Sequence, residues 1–508
     1  MWRRNHEIFS RYLRKTHIYI YMPVKNKCFS TCREFEKPEC NPPRCKYVNG
    51  NTLKYCRLSH RYKMNKPGCN VTRRVKKGEI KQHARTKIGE MIKKSGKFVQ
   101  TICSDSGVCI AFGKHTGEIN NFFKGFSDFT YALSPIKQIG SKSSNGFIKE
   151  ISYEKQGYKA DAILKSSKKK TADNLVYEYL VGIKYVNRIM KRFPCFLETY
   201  GLYYYGGEPD WKIMSGSGPV HAANLKKLQL QSTIDYSKAC RESKYAAILI
   251  QHIKGVRSIR EFTSVTQYNK FMKCDMLYVF FIIYHALASI SKDFSHYDLH
   301  DENVLVYEAE KGKYIQYHYH HKDGTETTFY SPYIPKIIDY GRSFFNNGNL
   351  TSRKVYDKIC TVADCNPDCG ENSGLGWLDP KPTITISSSQ KNESHDLRLL
   401  KMVETYMGDI FKIQHIKPQE ATFVEADKVL KKVVYGVSIK KENKSYGTKE
   451  NLKITPTKIY NVNGAYLELK TALKNPKVIA ENQINYSRFS NKLGDLHVYD
   501  DGRDTRYE

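Results

Sequence analysis

His296-Tyr297-Asp298-Leu299-His300-Asp301-Glu302-Asn303 is the stretch on which the reading of this chain turns. It follows the apolar run Leu277 to Ile290 (LYVFFIIYHALASI) and precedes the β-branched Val304-Leu305-Val306. The pattern predicts a core helix, a polar loop and a buried strand in that order. Within the loop a carboxylate, Asp298, and a carboxamide, Asn303, stand five residues apart. Phosphoryl transfer to a hydroxyl needs a carboxylate that accepts the proton and a nearby oxygen ligand for Mg²⁺, and this one loop offers both. Thirty-six residues beyond Asn303, Ile337-Ile338-Asp339-Tyr340-Gly341 ends an apolar strand on Asp-aromatic-Gly. Asp339 supplies a second oxygen ligand, and Gly341 lets the backbone turn away. Asp and Asn also favour capped turns beside strands, which is the bland alternative for all three residues.

Together these two loops resemble the catalytic and metal-binding loops of the protein kinase superfamily, with Tyr297 in place of the usual arginine and Asp-Tyr-Gly in place of Asp-Phe-Gly. The resemblance implies parts upstream. Lys165, ending Ala162-Ile163-Leu164-Lys165, is placed like the strand lysine that holds the α- and β-phosphates of ATP. Glu178, inside a helix predicted over Asp173 to Met190, is placed like its ion-pair partner. Ile139-Gly140-Ser141-Lys142-Ser143-Ser144-Asn145-Gly146-Phe147-Ile148 stands where a glycine-rich lid would cover the phosphates, although Lys142 occupies the place of the middle glycine. Gly140, Gly146 and Ile148 are its nucleotide-binding residues. Gln251 to Ile253 resembles the hinge that binds adenine through backbone groups, and Ser394-His395-Asp396-Leu397 the site of a buried aspartate that braces the catalytic loop.

The phrases IGSKSSNGFI, AILKSS, DNLVYEYLVG, HYDLHDENVL, IIDYG and SHDLRLL are similar, more narrowly, to kinases of large cytoplasmic DNA viruses. That likeness implies a viral protein of the host cytoplasm, with packaging in the particle a further implication. It implies Mg²⁺ and ATP as cofactors, a protein substrate, and transfer to a serine or threonine hydroxyl.

Three departures keep other readings open. His300 stands where many serine/threonine kinases carry lysine two residues after the catalytic aspartate, and Asp-Leu-His is the usage of small-molecule kinases of the aminoglycoside phosphotransferase type. No Ala-Pro-Glu follows Gly341; the turn-rich segment Cys360 to Gly370 stands there instead. Tyr314 to Tyr330 alternates aromatic and polar residues around Asp323-Gly324, the pattern of a two-residue hairpin turn, and is expected to be surface decoration. A small-molecule kinase and a basic virion or nucleic-acid-binding pseudokinase are therefore the alternatives to a protein kinase.

The chain has 508 residues, 40% hydrophobic, enough to bury a full-sized core, which excludes wholesale disorder. Its net charge is +32, of which +20 falls in residues 1–100. That front seeks polyanions, nucleic acid among them, unless it is simply a solvated charged face. It also holds Cys28, Cys32, Cys40, Cys45, Cys56 and Cys69, with His60 four residues after Cys56. These side chains suit Zn²⁺, yet their spacing fits no standard finger. Cys360, Cys365 and Cys369 offer only three thiols. The start shows no secretory leader, which predicts a reducing compartment. The 14-residue apolar run is shorter than the roughly 20 needed to span a bilayer, so no membrane is expected. The expected architecture is α+β: a basic Cys-rich segment over 1–95, then a bilobal protein-kinase-like domain over 96–508. Its N-lobe would occupy about 130–250, and a mostly helical C-lobe about 251–508.

Overall fold

The computed structural model describes residues 112–113, 115–127, 129–140, 146–168, 173–231, 233, 243–263, 269–308, 310–359, 391–414, 418–435, 455–486 and 491–508, and the two strands at 45–49 and 54–58. The chain divides into two compact units, Met1–Ser95 and Gly96–Glu508. In the first, β1 (Cys45–Asn49) and β2 (Lys54–Leu58) pair antiparallel, Cys45 opposite Leu58 and Tyr47 opposite Cys56. Cys28, Cys32, Cys40, His60 and Cys69 lie outside the described residues, as do Cys360, Cys365 and Cys369.

The second unit is α+β. Its first half is a six-stranded antiparallel sheet of order β3-β4-β5-β8-β6-β7. The strands are β3 (Lys137–Ile139), β4 (Gly146–Lys155), β5 (Tyr158–Ser167), β6 (Thr199–Tyr204), β7 (Gln229–Leu230) and β8 (Ala246–His252). Side chains alternate across a strand, so each strand divides its apolar residues between two faces. One face presents Phe147, Ile151, Ala162, Leu164, Ala247 and Leu249 to a core of its own. Three phenylalanines that follow α1 (His115–Phe122) cover it: Phe123, Phe126 and Phe129. Phe126 stacks on Tyr200 at 4.4 Å and meets Tyr153 edge-on at 5.0 Å. The other face, carrying Ile248 and Ile250, belongs to the main core. There α2 (Asp173–Val181) packs, its helical path continuing through a π-turn at Gly182–Val186 to Ile189.

The second half is organised by α3 (Met276–Ile290), nearly all of whose side chains are buried. Around it stand α4 (Arg398–Gln414), α5 (Ala421–Lys432), α6 (Val462–Leu473) and α7 (Pro476–Asn485). Among the described residues no helix is long and apolar enough to cross a membrane. Two small sheets flank the loop after α3. In one, β9 (Arg257–Ser258) and β14 (Tyr333–Ile337) sit on either side of β11 (Val304–Glu308); in the other, β10 (Phe294–Ser295) pairs with β15 (Phe344–Phe345).

The expectation for Tyr314 to Tyr330 needs correction. A hairpin forms, from β12 (Tyr314–His320) and β13 (Glu326–Ser331), but residues 321–325 connect the strands rather than two turn residues. Nor is it surface decoration. β16 (Lys492–Tyr499) runs parallel to β12, and β17 (Arg506–Tyr507) closes a sheet of order β13-β12-β16-β17, so a four-stranded sheet stands with the helices of this half. The cause lies in the alternation itself, which puts Tyr317 and Tyr319 on one face with Phe329 beside them. That much aromatic surface gains by burial, and Phe281 and Tyr278 of α3 meet it at 4.9 Å.

Phe126 is 1% exposed and Leu133 41% exposed. Phe126→Ala should therefore cost about 3–5 kcal/mol, read as a lowered urea midpoint, and Leu133→Ala less than about 0.5 kcal/mol. Equal losses would mean that the Phe123–Phe129 segment does not form a core on this sheet.

Candidate active site

Strand alternation decides where Lys165 points. Ala160, Ala162 and Leu164 take the first face of β5, so Ile163 and Lys165 take the second, facing α2. Lys165 lies between Ile148 of β4 and Ile248 of β8 in the sheet register. Its Nζ donates to Oε2 of Glu178 at 2.7 Å and to Oδ1 of Asp339 at 3.0 Å. Burial works against the ammonium, but the two carboxylates outweigh it and raise the lysine pKa. Burial pushes Glu178 up to about 7 against the pull of Lys165. For Asp339, burial raises the pKa, and the charge and hydrogen bond of Lys165 overcome it, holding the carboxyl below its usual range. A buried ion pair stabilises little more than well-packed apolar residues would, so stability alone does not explain three charges collected here.

Asp339 is brought to Lys165 by the end of β14. Ile337 N donates to Cys195 O at 2.7 Å, and the buried Lys336 ammonium donates to Pro194 O and, at 3.2 Å, to Phe196 O. The strand that delivers Asp339 is thus tied to the segment that follows the Glu178 helix. β14 also pairs antiparallel with β11, Val304 opposite Ile337, and Ile338 N donates to Asn303 O at 3.0 Å. This pairing closes the thirty-six-residue gap between Asn303 and Asp339.

The loop from His296 to Asn303 is gripped from below. Asp396, 2% exposed, accepts from the backbone N–H of His296 at 2.7 Å and of Tyr297 at 2.8 Å. Burial raises its pKa to about 7 against those two hydrogen bonds. Tyr297 and Asp339 both sit at positive φ, +65° and +67°, a conformation costly for residues with a Cβ and found at functional sites where the surroundings enforce it. Burial pushes His296 down to about 4, leaving a neutral ring whose Nε2–H donates to Ile338 O at 2.9 Å.

Asp298 Oδ1 accepts from Arg398 Nη1 at 2.9 Å, and Arg342 Nε stands 3.7 Å from Oδ2. Asn303 Nδ2 donates to the backbone carbonyl of Asp298 at 2.9 Å, which directs its Oδ1 elsewhere. His300 Nδ1 accepts from Glu302 N at 3.2 Å, so its proton is on Nε2, 3.8 Å from Asp298 Oδ1. That Nε2–H is a hydrogen-bond donor.

The structure therefore joins Lys165, Glu178 and Asp339 directly, and Asp298, Asn303 and His300 through one loop held against Ile338. Gly140 directly follows β3 and Gly146 begins β4, with residues 141–145 outside the described residues. A Cβ on Gly146 would lie 2.2 Å from Ser166 O, so the strand pair admits only glycine there. At the strand end, Gln251 N donates to Glu198 O at 2.8 Å, and that N–H is not available to a base. Arg398 and Arg342 escaped the sequence reading. Arg342 directly follows Asp339-Tyr340-Gly341 and Arg398 stands two residues after Asp396, but neither position signals a contact with Asp298.

The oxygens of Asn303 and Asp339 suit Mg²⁺, which takes one or two protein oxygens and completes its shell with phosphate and water. Among the described residues no group of three or more His, Cys, Asp and Glu side chains is placed to hold a metal by itself.

No protein-family model matches the chain, and no curated protein does. Among solved structures, the crystal structure of the PF14_0431 kinase domain matches at 15% identity and a TM-score of 0.25, over 44% of this chain and 56% of that one. The chain thus spans little more than half the length of that domain, and a superposition at this level leaves the functional reading to the geometry of the cleft.

The His296 pKa of about 4 lies below the ordinary 6.5. Between those values the unfolded chain binds the proton more tightly, and the stability contributed by the neutral ring is lost as pH falls. The stability difference between wild type and His296→Gln, measured by urea unfolding, should be smallest at pH 4 and reach its plateau above pH 6.5. A difference that stays constant across that window would show that His296 is not held neutral.

Proposed function

We propose that this chain is an ATP-dependent phosphotransferase of the kinase type, moving the γ-phosphoryl group of Mg·ATP to a hydroxyl. The observation that carries the reading is Lys165, bonded at once to Glu178 at 2.7 Å and to Asp339 at 3.0 Å, beside a loop that presents Asp298 and Asn303. Lys165 clamps the α- and β-phosphates, and Glu178 keeps it extended into the cleft. Gly140, Gly146 and Ile148 lie over the nucleotide, and the Gln251 to Ile253 strand end takes the adenine. Asn303 and Asp339 hold Mg²⁺, which when bound neutralises charge on the β- and γ-phosphates. As the acceptor oxygen bonds to the γ-phosphorus and the bond to the bridging oxygen of ADP breaks, Asp298 takes the hydroxyl proton. His300 donates its Nε2–H to the acceptor side of the cleft.

We assign a protein serine or threonine hydroxyl as acceptor, following the resemblance in the two loops. A small hydroxyl compound is the second reading, favoured by His300, whose tautomer supplies a hydrogen bond where many protein kinases place a cation. The viral reading and the polyanion-seeking role of the basic front rest on the sequence.

With labelled ATP, Asp298→Asn should slow phosphoryl transfer by about 10²- to 10⁴-fold, with little change in nucleotide affinity. Asp339→Asn should weaken Mg·ATP binding and activity together. Unchanged transfer in the first variant removes Asp298 as the base, and unchanged binding in the second removes Asp339 from the metal site. Presenting protein and metabolite acceptors side by side separates the two acceptor readings.

A further inference from the structure

Asp298 is more tightly held than a proton acceptor alone requires. Its Oδ1 receives Nη1 of Arg398 at 2.9 Å, and the arginine side chain is 5% exposed. Arg398 is the first residue of α4 and directly follows the short turn His395–Leu397. Asp396 of that turn accepts the backbone N–H groups of His296 and Tyr297. Two residues at the start of α4, one in the turn and one in the helix, thus hold the loop twice: Asp396 grips the loop's main chain and Arg398 grips the side chain of its Asp298. A second carboxylate, Asp301, is fully buried close by, has no hydrogen bond among the described residues, and acts on Arg398 through its charge.

Burying a guanidinium is costly, and an apolar replacement for a buried ion pair is often as stable or more so. What the pair supplies is direction. The planar, always-charged fork of arginine sets a carboxylate in one orientation, which a lysine on a flexible stem does not reproduce. With Oδ1 hydrogen-bonded, Oδ2, which has Arg342 Nε 3.7 Å away, is the oxygen that faces an acceptor hydroxyl, and Tyr297 beside it sits at a φ of +65°.

We propose that Arg398 is a positioning residue for phosphoryl transfer: it acts on the reaction through Asp298, holding Oδ1 so that Oδ2 meets the acceptor, and makes no contact with the nucleotide. This rests on the kinase reading given above. Because reaction geometry is steep in distance, displacing the base by about 1 Å costs on the order of 100-fold in rate.

The test compares Arg398→Met, Arg398→Lys, Asp298→Asn and the double variant Asp298→Asn/Arg398→Met, using full-length protein, Mg·ATP and whichever acceptor the wild type uses. Arg398→Met should lower kcat about 100-fold and Arg398→Lys about tenfold, with KM for ATP within about twofold of wild type. The double variant should be no slower than Asp298→Asn alone, because a residue acting through Asp298 has nothing to position once the carboxylate is gone. If Arg398→Met does not fold, Arg398→Lys and Asp298→Asn/Arg398→Lys give the same comparison. Wild-type kcat in Arg398→Lys, or losses that multiply in the double variant, would overturn the positioning role while leaving the kinase reading intact. A wild-type chain that transfers no phosphoryl group would overturn both.

Discussion

One ammonium group joins the parts of this molecule that matter for its chemistry. Lys165 belongs to β5, Glu178 to the helix after it, and Asp339 to a loop 174 residues beyond Lys165, and both carboxylates lie within 3.0 Å of the ammonium. Two carboxylates approaching each other in a partly dry cleft need a cation between them, and a cation there needs both of them. Glu178 is the most deeply buried of the three charges, and the ammonium of Lys165 offsets the cost of burying it. The arrangement is mutual, and it sets how close the sheet with α2 must come to the Asp339 loop.

Backbone hydrogen bonding supplies the rigidity behind that contact. The pairing of β11 with β14 leaves Asn303 bonded to Ile338, and the anchoring of Ile337 and Lys336 on Cys195, Pro194 and Phe196 ties the same strand to the end of the Glu178 helix. Asp396 performs the same service for His296 and Tyr297. Two residues with positive φ stand beside the cleft, and both are held by these contacts, as expected where local strain is retained for a site rather than for stability. The second core, on the far face of the sheet, keeps the strands flat against Phe123, Phe126 and Phe129, and so bears on the position of Lys165 from behind.

Much of this was legible in the chain. The Asp298/Asn303 spacing and the Asp339-Tyr340-Gly341 turn marked two loops, because the residues that make each loop stand close together in the chain. The helix expected over Asp173 to Met190 forms as far as Ile189, with a π-turn at Gly182–Val186 that no local pattern marks. The alternation after Asn303 predicts the hairpin that forms, but aromatic alternation says only that one face is buried, not against what. The partner strand, Lys492–Tyr499, comes 172 residues after β12 ends, and no local pattern announces it.

What the sequence determined by itself is the inventory and its local geometry: which strands and helices form, which side of each is apolar, and which acidic, amide and basic side chains stand in loops at their ends. What only the tertiary structure decided is which of those charges meet. The Arg398 grip on Asp298, the tautomer of His300, the burial of Asp301 and the seating of β16 beside β12 all depend on segments distant in the chain. Electrostatic and packing energies depend on distances in space, whereas residue order constrains those distances only across a few neighbours.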